Sequence, residues 1–594
     1  MDRREFLRVL GIAAAAGLQP GCAGGGRSAG RTASGSEADS LYDVESFGSV
    51  RLLHFTDCHA QLNPIYFREP SVNLGIGPMR GRRPHVVGEA LLAEAGVPTG
   101  THRAHAYTYL DFAEAARRYG AVGGFAHLKT LCDRLRADYA PGRSLLLDGG
   151  DTWQGSGTAY WTRGKDMVGA CNRLGVEVMT GHWEFTYRDQ EVLENIGEFE
   201  GEFIAQNVRV SEEALFDGAV AFDEDSGHAF RPYTIRQLGD RRVAVIGQAF
   251  PYTPIANPSR FIPDWSFGIR DADLQVLIDD IRSRERPDAV VLLSHNGMDV
   301  DLKLASLVRG LDAILGGHTH DGMPVATVVE NPGGRTIVTN AGSNGKFLAV
   351  LDLDLAEGRV RDFRYTLLPI FANLLPADPG MAEYIAGVRA PHVATLAEEL
   401  AVTETLLFRR GNFNGTFDQV ICDALMAVKD AQIALSPGFR WGTTVLPGEA
   451  VTMEHVLDQT CITYPESYAR DMRGEELKLI LEDVADNLFN PDPFYQQGGD
   501  MVRVGGLDYA IDPGGAMGSR ISEMRLPDGT PVAADKTYRV AGWATVGAQS
   551  DGAPIWEVVA EYLRDRQTIR VDSLNTPTLH NVGDNPGLAN YPSR

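Results

Sequence analysis

Five apolar runs of β character each break, at the carboxyl end, into a glycine-rich or polar turn that carries a carboxylate or an imidazole. Residues 50–55 lead into Thr56, Asp57, Cys58 and His59; residues 144–147 into Asp148, Gly149, Gly150 and Asp151; residues 176–179 into Thr180, Gly181 and His182. Residues 288–293 give way to Ser294, His295, Asn296 and Gly297, and residues 311–315 to Gly316, Gly317, His318, Thr319 and His320. Strand ends of this kind are where α/β folds place ligand sites, so the pattern constrains both the topology and the place of the chemistry. Asp57 and His59 lie two apart, share a face of an extended backbone and can reach one ion. The paired glycines before Asp151 let the backbone approach an ion or anion closely.

Each of these turns alone has a plainer reading. An Asp-x-His is a capped turn, and a His beside Trp183 is a half-buried surface histidine. Five strand ends that all deliver oxygen or nitrogen donors are hard to derive from folding needs. Donors without thiolates suit manganese, iron or zinc, and seven of them are too many for one ion. Two ions bridged by a carboxylate use them all. Such a pair activates a water and stabilises the leaving oxygen or sulfur of a displacement at a tetrahedral anion.

A chain of 594 residues, 44% of them apolar, is long enough for more than one core, and two domains plus a leader are expected. The formal charge of −24, with no run of Lys or Arg to offset it, excludes nucleic acid and anionic lipid as natural partners. Arg3-Arg4 with Phe6-Leu7, followed by a short apolar core at 11–18, resembles a twin-arginine export signal and implies the bacterial periplasm. Cys22 is a candidate for lipidation, although Gln19 and Pro20 fit that pattern poorly, and residues 23–40 read as a flexible linker. The remaining cysteines, Cys58, Cys132, Cys171, Cys422 and Cys461, are scattered, which argues against a disulfide framework and a thiolate metal site. No other segment is long and apolar enough to be transmembrane. Residues 61–119 read as an irregular insert whose cluster Arg80, Arg82 and Arg83 is either an anion-binding patch or a solvated face.

The series Asp57-x-His59, Gly149-Gly150-Asp151, Gly181-His182-Trp183-Glu184-Phe185, Ser294-His295-x-Gly297 and Gly317-His318-Thr319-His320 resembles the calcineurin-like metallophosphoesterases. Its order, Asn207, the stretch 336–343 and the second half of the chain resemble the 5'-nucleotidase family, over about residues 48 to 590. The resemblance implies an α+β fold: a four-layer αββα β-sandwich over 41–375, a linker helix over 376–400 and a smaller C-terminal α/β substrate-binding domain over 401–594. It implies one ion held by Asp57, His59 and His320 and a second by His182, His295 and His318, with Asp151 bridging. Manganese comes first, with zinc or iron as alternatives.

One stretch departs from that family. The nucleotidase motif reads Gly-Asn-His-Glu-Phe-Asp, in which Asn is a ligand, His donates to the leaving group and Asp orients that His. Those places hold His182, Trp183 and Thr186 here, so a ligand remains but the acid dyad is gone. A nucleoside alkoxide departs poorly without a proton, whereas a weakly basic leaving group tolerates the loss. This version of the motif resembles the periplasmic thiosulfohydrolases of the sulfur-oxidation (Sox) pathway, the SoxB type. Their substrate is a sulfonate group attached through sulfur to a cysteine on the swinging C-terminal arm of a SoxYZ-type carrier protein, and hydrolysis releases sulfate.

In the second domain, segments 408–416 and 490–503 resemble that type. Arg410, Arg440 and Arg503 are candidates to meet a sulfonate, because a planar guanidinium pairs two anion oxygens at once. Asn412 and Asn414 either line a channel for a glycine-rich arm or are turn formers. Trp183, Arg410 and Arg440 are therefore the expected catalytic residues, and Asn412, Asn414 and Arg503 the expected substrate-binding ones. The alternatives are a periplasmic 5'-nucleotidase or phosphomonoesterase and a non-catalytic binding partner that keeps metal for stability.

Overall fold

The computed structural model describes residues 40–547 and 549–591; the expected export signal, Cys22 and the linker up to residue 39 lie outside the described residues. Two six-stranded mixed sheets form the first domain. One runs, in spatial order, Arg359–Pro369, Phe347–Ala356, Val50–Phe55, Ser144–Asp148, Val178–Met179, Glu202–Phe203. Its last four strands are mutually parallel and the two long ones antiparallel. The other runs Thr327–Asn331, Gly334–Asn340, Ala313–Gly316, Ala289–Ser294, Arg241–Gln248, Tyr233–Leu238, parallel in the middle and antiparallel at both edges.

Alternation along the strands builds the layers. Val50, Leu52, Leu145 and Leu147 of the first sheet meet Val243, Val245, Val291 and Leu293 of the second in one buried core. Their neighbours Ala244, Ile246, Val290 and Leu292 face the other way, onto Leu274 and Ile278 of the helix Asp271–Asp280 and Met298 and Leu304 of the helix Met298–Leu307. On the outer face of the first sheet Phe55 stands edge-on to Phe125 at 6.2 Å, at the start of the helix Phe125–Ala137. The result is the expected four-layer order, helix, sheet, sheet, helix. Each fully buried Val or Leu contributes roughly 1.5–3 kcal/mol of transfer free energy.

Asp378 caps the helix Pro379–Arg389 by accepting from the Met381 N–H at 2.7 Å. That helix does not run on through 400 as one piece: it gives way to a 3-10 turn at Ala390–His392 and a short helix Val393–Leu396. Pro391 has no N–H to continue the ladder, which accounts for the break. Beyond it the second domain builds a four-stranded sheet, Ser467–Arg473, Thr537–Trp543, Ile433–Ser436, Arg503–Gly505. Leu435, Val504 and Val540 of this sheet share a core with Leu477 and Leu481 of the helix Gly474–Leu488.

The insert is less irregular than expected. It carries the helices Gly88–Ala95, His102–Tyr107 and Phe112–Tyr119, the second capped by Thr101 Oγ1 accepting from the Ala104 N–H at 3.2 Å. Arg80 donates to the Val582 carbonyl at 2.9 Å and Arg83 to the Val325 carbonyl at 3.2 Å, so two of the three clustered arginines hold the insert in place. The five cysteines among the described residues are free and buried, and no described helix is long and apolar enough to cross a membrane.

Arg51 and Asp352, fully buried on neighbouring antiparallel strands, form a two-pronged pair with N–O distances of 2.7 and 2.8 Å. Removing one partner strands the other charge inside the protein. Asp352→Ala is expected to lower the stability of the first domain by about 3–5 kcal/mol, read from urea unfolding followed by circular dichroism.

Candidate metal centre and the cavity beside it

The five strand-end turns converge. Asp57, His59, Asp151 and His320 form one group and Asp151, His182, His295 and His318 another, all buried, with the ligand atoms of each group within 4.8 Å of one another. Asp151 belongs to both. The structure thus brings together all seven residues that the sequence pattern singled out, in the grouping that the family resemblance implied.

The local backbone explains how they meet. Asp57, His59, Asp151, His318 and His320 all have left-handed φ angles, between 46° and 71°, a conformation that costs a residue with a side chain on the order of 1–3 kcal/mol. That turn lets each side chain point back across the rim rather than along the strand. Gly317 has to be glycine, because a Cβ there would lie 2.4 Å from Thr56 Oγ1 and 2.8 Å from Asp57 Oδ2.

The donor set fits divalent cations. His295 Nδ1 lies 2.7 Å from the Gly149 carbonyl oxygen and donates to it, which points Nε2 toward Asp151 Oδ2 at 3.1 Å and Asp57 Oδ1 at 3.6 Å, a nitrogen that carries a proton there and gives it up when a cation takes the proton's place. His59 Nε2 and His320 Nε2 are 3.0 Å apart, and His320 Nε2 is 3.2 Å from Asp57 Oδ1. His182 Nε2 and both ring nitrogens of His318 are buried with no hydrogen-bond partner. Buried ring nitrogens without a partner are costly, and a cation placed among them takes up their lone pairs as ligands.

The proton equilibria report the same crowding. Burial holds His59 down to about 4 and His318 and His320 well below the usual imidazole value. Burial also opposes a charge on His295, but Asp151 and Asp57 outweigh it and raise that ring to about 10. Asp151 lies well below the usual carboxylate range, because His182 and His295 overcome the effect of burial.

Several groups that set this geometry were not picked out from the sequence. Glu184, fully buried, accepts four backbone N–H groups: from Thr152 at 2.7 Å, His182 at 2.8 Å, Trp153 at 3.1 Å and Asp151 at 3.2 Å. One carboxylate therefore ties the Asp151 turn to the His182 turn. Asp57 is held by the Thr56 hydroxyl at 2.6 Å and the His318 N–H at 3.0 Å, and Asp151 by the Trp183 N–H at 2.7 Å. The signal for Glu184 was a carboxylate inside an apolar motif, but its partners are backbone groups that sequence does not display.

A cavity of about 290 Å³ opens beside the donors, lined from the first domain by His59, Asp151, His182 and Trp183 and from the second by Phe439, Arg440 and Trp441. Arg440 donates to the Gly499 carbonyl at 2.8 Å and the His318 carbonyl at 3.4 Å. Arg410 donates to the Thr319 carbonyl at 2.8 Å, its Nε has no partner, and with Asn412 it lines a smaller neighbouring cavity. Asp500, also missed in the sequence, lies 3.4–3.9 Å from Arg503, Arg440 and Arg410 and accepts from Asn412 Nδ2 at 3.0 Å.

The structure does not bring Arg503 and Asn414 to either cavity. Arg503 is 0% exposed, between Asp418 and Asp500, and donates to the Gly411 carbonyl at 2.8 Å. Asn414 spends its amide on the backbone of Val504, donating at 2.8 Å and accepting at 3.2 Å. Both hold the loop that carries Arg410. Thr186 is equally remote from acid chemistry, its hydroxyl 2.6 Å from that of Thr463.

Residues 396–560 match the family model described as 5'-nucleotidase, C-terminal domain. Among solved structures, the chain is similar to the sulfate thiohydrolase SoxB of Thermus thermophilus, with 38% identity, a TM-score of 0.85, and coverage of 91% of this chain and 98% of that one. The 5'-nucleotidase precursor of the same organism shares the fold at 22% identity and a TM-score of 0.70, over 90% and 99% of the two chains. Among curated proteins, the bovine 5'-nucleotidase is 25% identical over 72% of this chain and 78% of its own. The trifunctional nucleotide phosphoesterase YfkN of Bacillus subtilis is 27% identical over 70% of this chain, which spans 30% of that longer protein.

Glu184→Gln turns an amide N–H₂ toward backbone donors and is expected to weaken ion binding about 10- to 100-fold, read by titration calorimetry, while the far-ultraviolet spectrum stays native. Dialysis against a chelator is expected to lower the unfolding temperature reversibly. An ion present at 100 times its Kd adds about 2.7 kcal/mol, so a calorimetric scan with and without added manganese resolves it.

Proposed function

The chain belongs to the family of the Thermus thermophilus sulfate thiohydrolase, within the 5'-nucleotidase superfamily, and on that premise we propose that it releases sulfate from a cysteine S-thiosulfonate borne on a carrier-protein arm. The proposed setting is the periplasm, the proposed partner a SoxYZ-type carrier, and the proposed ions two manganese. The observation that carries the reading is Trp183. Its indole, 5% exposed, stands next to His182 where a nucleotidase keeps its proton donor, and an indole ring supplies no acid at neutral pH.

The reaction balances as R–S–S–SO₃⁻ + H₂O → R–S–S⁻ + SO₄²⁻ + 2 H⁺. A water oxygen bonds to the sulfonate sulfur, the S–S bond breaks, and its electron pair leaves on the inner sulfur. No external oxidant or reductant takes part. When bound at the seven donors, two divalent cations supply Lewis acidity, which lowers the pKa of a water and neutralises sulfonate oxygens. Arg440, at the cavity wall, pairs with oxygens of the sulfonate, and the partnerless Nε of Arg410 adds a second cationic donor behind the His318 to His320 turn. Asn414 and Arg503 act through the loop, not on the substrate. The persulfide is a weak base and departs without a proton, so the loss of the dyad costs the reaction little.

Metal-loaded protein is expected to release sulfate from a glycine-rich peptide carrying a thiosulfonated cysteine and to leave AMP nearly untouched. Rapid AMP hydrolysis without sulfate release would instead select the nucleotidase reading, which the curated relatives favour. Arg440→Ala should lower kcat/KM for the thiosulfonate about 100-fold. Restoring the dyad with Trp183→His and Thr186→Asp should raise phosphomonoesterase activity at least about tenfold, measured with p-nitrophenyl phosphate.

A further inference from the structure

Three rings beside the donors have no part in the chemistry so far beyond filling space. Trp441 stacks on His59, centroids 5.1 Å apart and planes at 27°, and Phe439 stacks on Trp441 at 4.1 Å and 20°. Trp183 stands edge-on to both, 5.3 Å from Trp441 and 5.6 Å from Phe439. All three line the cavity that holds His59, Asp151 and His182.

Two features make this a fixed wall. Gly438 packs so closely on the 500 loop that a Cβ would lie 2.2 Å from the Asp500 carbonyl oxygen, and the Gly438 carbonyl accepts from the Asp500 N–H at 2.9 Å. On the other side of the rings, Gly442 has a φ of 140° and its carbonyl accepts from Asn344 Nδ2 at 3.1 Å. The indole N–H of Trp441 is buried without an acceptor, although an unmet buried donor costs about 1–3 kcal/mol.

We propose that Trp183, Phe439 and Trp441 form a pocket for divalent sulfur, which holds the sulfane atoms of the substrate and receives the persulfide as the S–S bond breaks. This rests on the thiosulfonate reading of the site and names the residues that select the leaving group. Divalent sulfur is polarisable and gains from contact with ring edges at about 5 Å. A persulfide anion also meets the positive rims of the rings and, at Trp441, an N–H that needs an acceptor. The oxygen of a phosphate ester placed there would give up its hydration and regain too few hydrogen bonds. The pocket therefore works in both directions, accepting S-linked sulfonates and disfavouring O-linked esters.

Two peptides separate sulfur recognition from plain apolar contact: one with a cysteine methyl disulfide, –CH₂–S–S–CH₃, the other with the thioether of equal length, –CH₂–S–CH₂–CH₃. Neither is hydrolysed, so binding is read by calorimetry on metal-free and metal-loaded protein alike. The wild type should bind the disulfide about fivefold tighter than the thioether, and Phe439→Leu and Trp183→Leu should each level the two. Trp441→Phe, which keeps a ring and loses the N–H, should keep the preference.

In turnover, Phe439→Leu should lower kcat/KM for the thiosulfonate peptide about tenfold. Equal affinity for the two peptides in the wild type, or a preference that survives both leucine variants with native metal content, overturns the sulfur pocket. A wild type that binds the disulfide selectively yet releases no sulfate from the thiosulfonate sinks the functional reading and leaves the pocket standing.

Discussion

Two carboxylates and five imidazoles held within a few ångströms of one another are the constraint on which the rest of the structure depends. Such a cluster opposes folding twice over. His182 Nε2 and both ring nitrogens of His318 are buried without a hydrogen-bond partner, and five of its members sit in left-handed backbone conformations. Strain of this kind persists only where the surroundings over-determine it. Here the surroundings are two sheets with a common core and a ring of buried acceptors and donors: Glu184 under the Asp151 and His182 turns, Thr56 and the His318 N–H on Asp57, the Gly149 carbonyl on His295. Divalent cations supply the attraction that the cluster otherwise lacks.

The first domain presents the donors, and the second supplies a wall of the cavity beside them. Arg440 and Arg410 touch the backbone of the His318 to His320 turn, so the two guanidiniums and the candidate metal donors are braced against each other. Asp500 lies among Arg410, Arg440 and Arg503 and carries its charge more readily than an ordinary carboxylate: burial opposes that charge, and the three guanidiniums outweigh it. A lone buried guanidinium would be costly to keep; a shared carboxylate makes the cluster affordable while leaving one face of Arg440 on the cavity. In the proposed reaction the aromatic wall completes the selection, with a ring at the place where a nucleotidase keeps its proton donor.

The reading from sequence succeeded where chemistry is written in residue type and local order. Asp57, His59, Asp151, His182, His295, His318 and His320 were visible because each follows a β run and a glycine or polar break, and a strand end is a local property. It fell short where partners come from distant chain. Arg503 and Arg410 look alike as arginines in polar loops, yet one is spent between Asp418 and Asp500 and the other borders a cavity. Asn412 and Asn414 look alike too, and only the register of Val504 against Asn414 separates them. Glu184 went unassigned because its partners are backbone N–H groups, which every residue but proline carries.

What the amino-acid sequence determined alone was the donor inventory and the strand-end placement of every donor, since these depend on residue identity and short-range backbone preference; the resemblance to the nucleotidase motif adds Trp183 and Thr186 at the places of an acid dyad. Tertiary structure decided how seven donors divide into two groups sharing Asp151, which arginines face the cavity, and that Phe439 and Trp441 from one domain close against Trp183 from the other. Those outcomes depend on how parallel strands bring their ends to one rim and on how a second core is set against it, and no window of neighbouring residues contains that information.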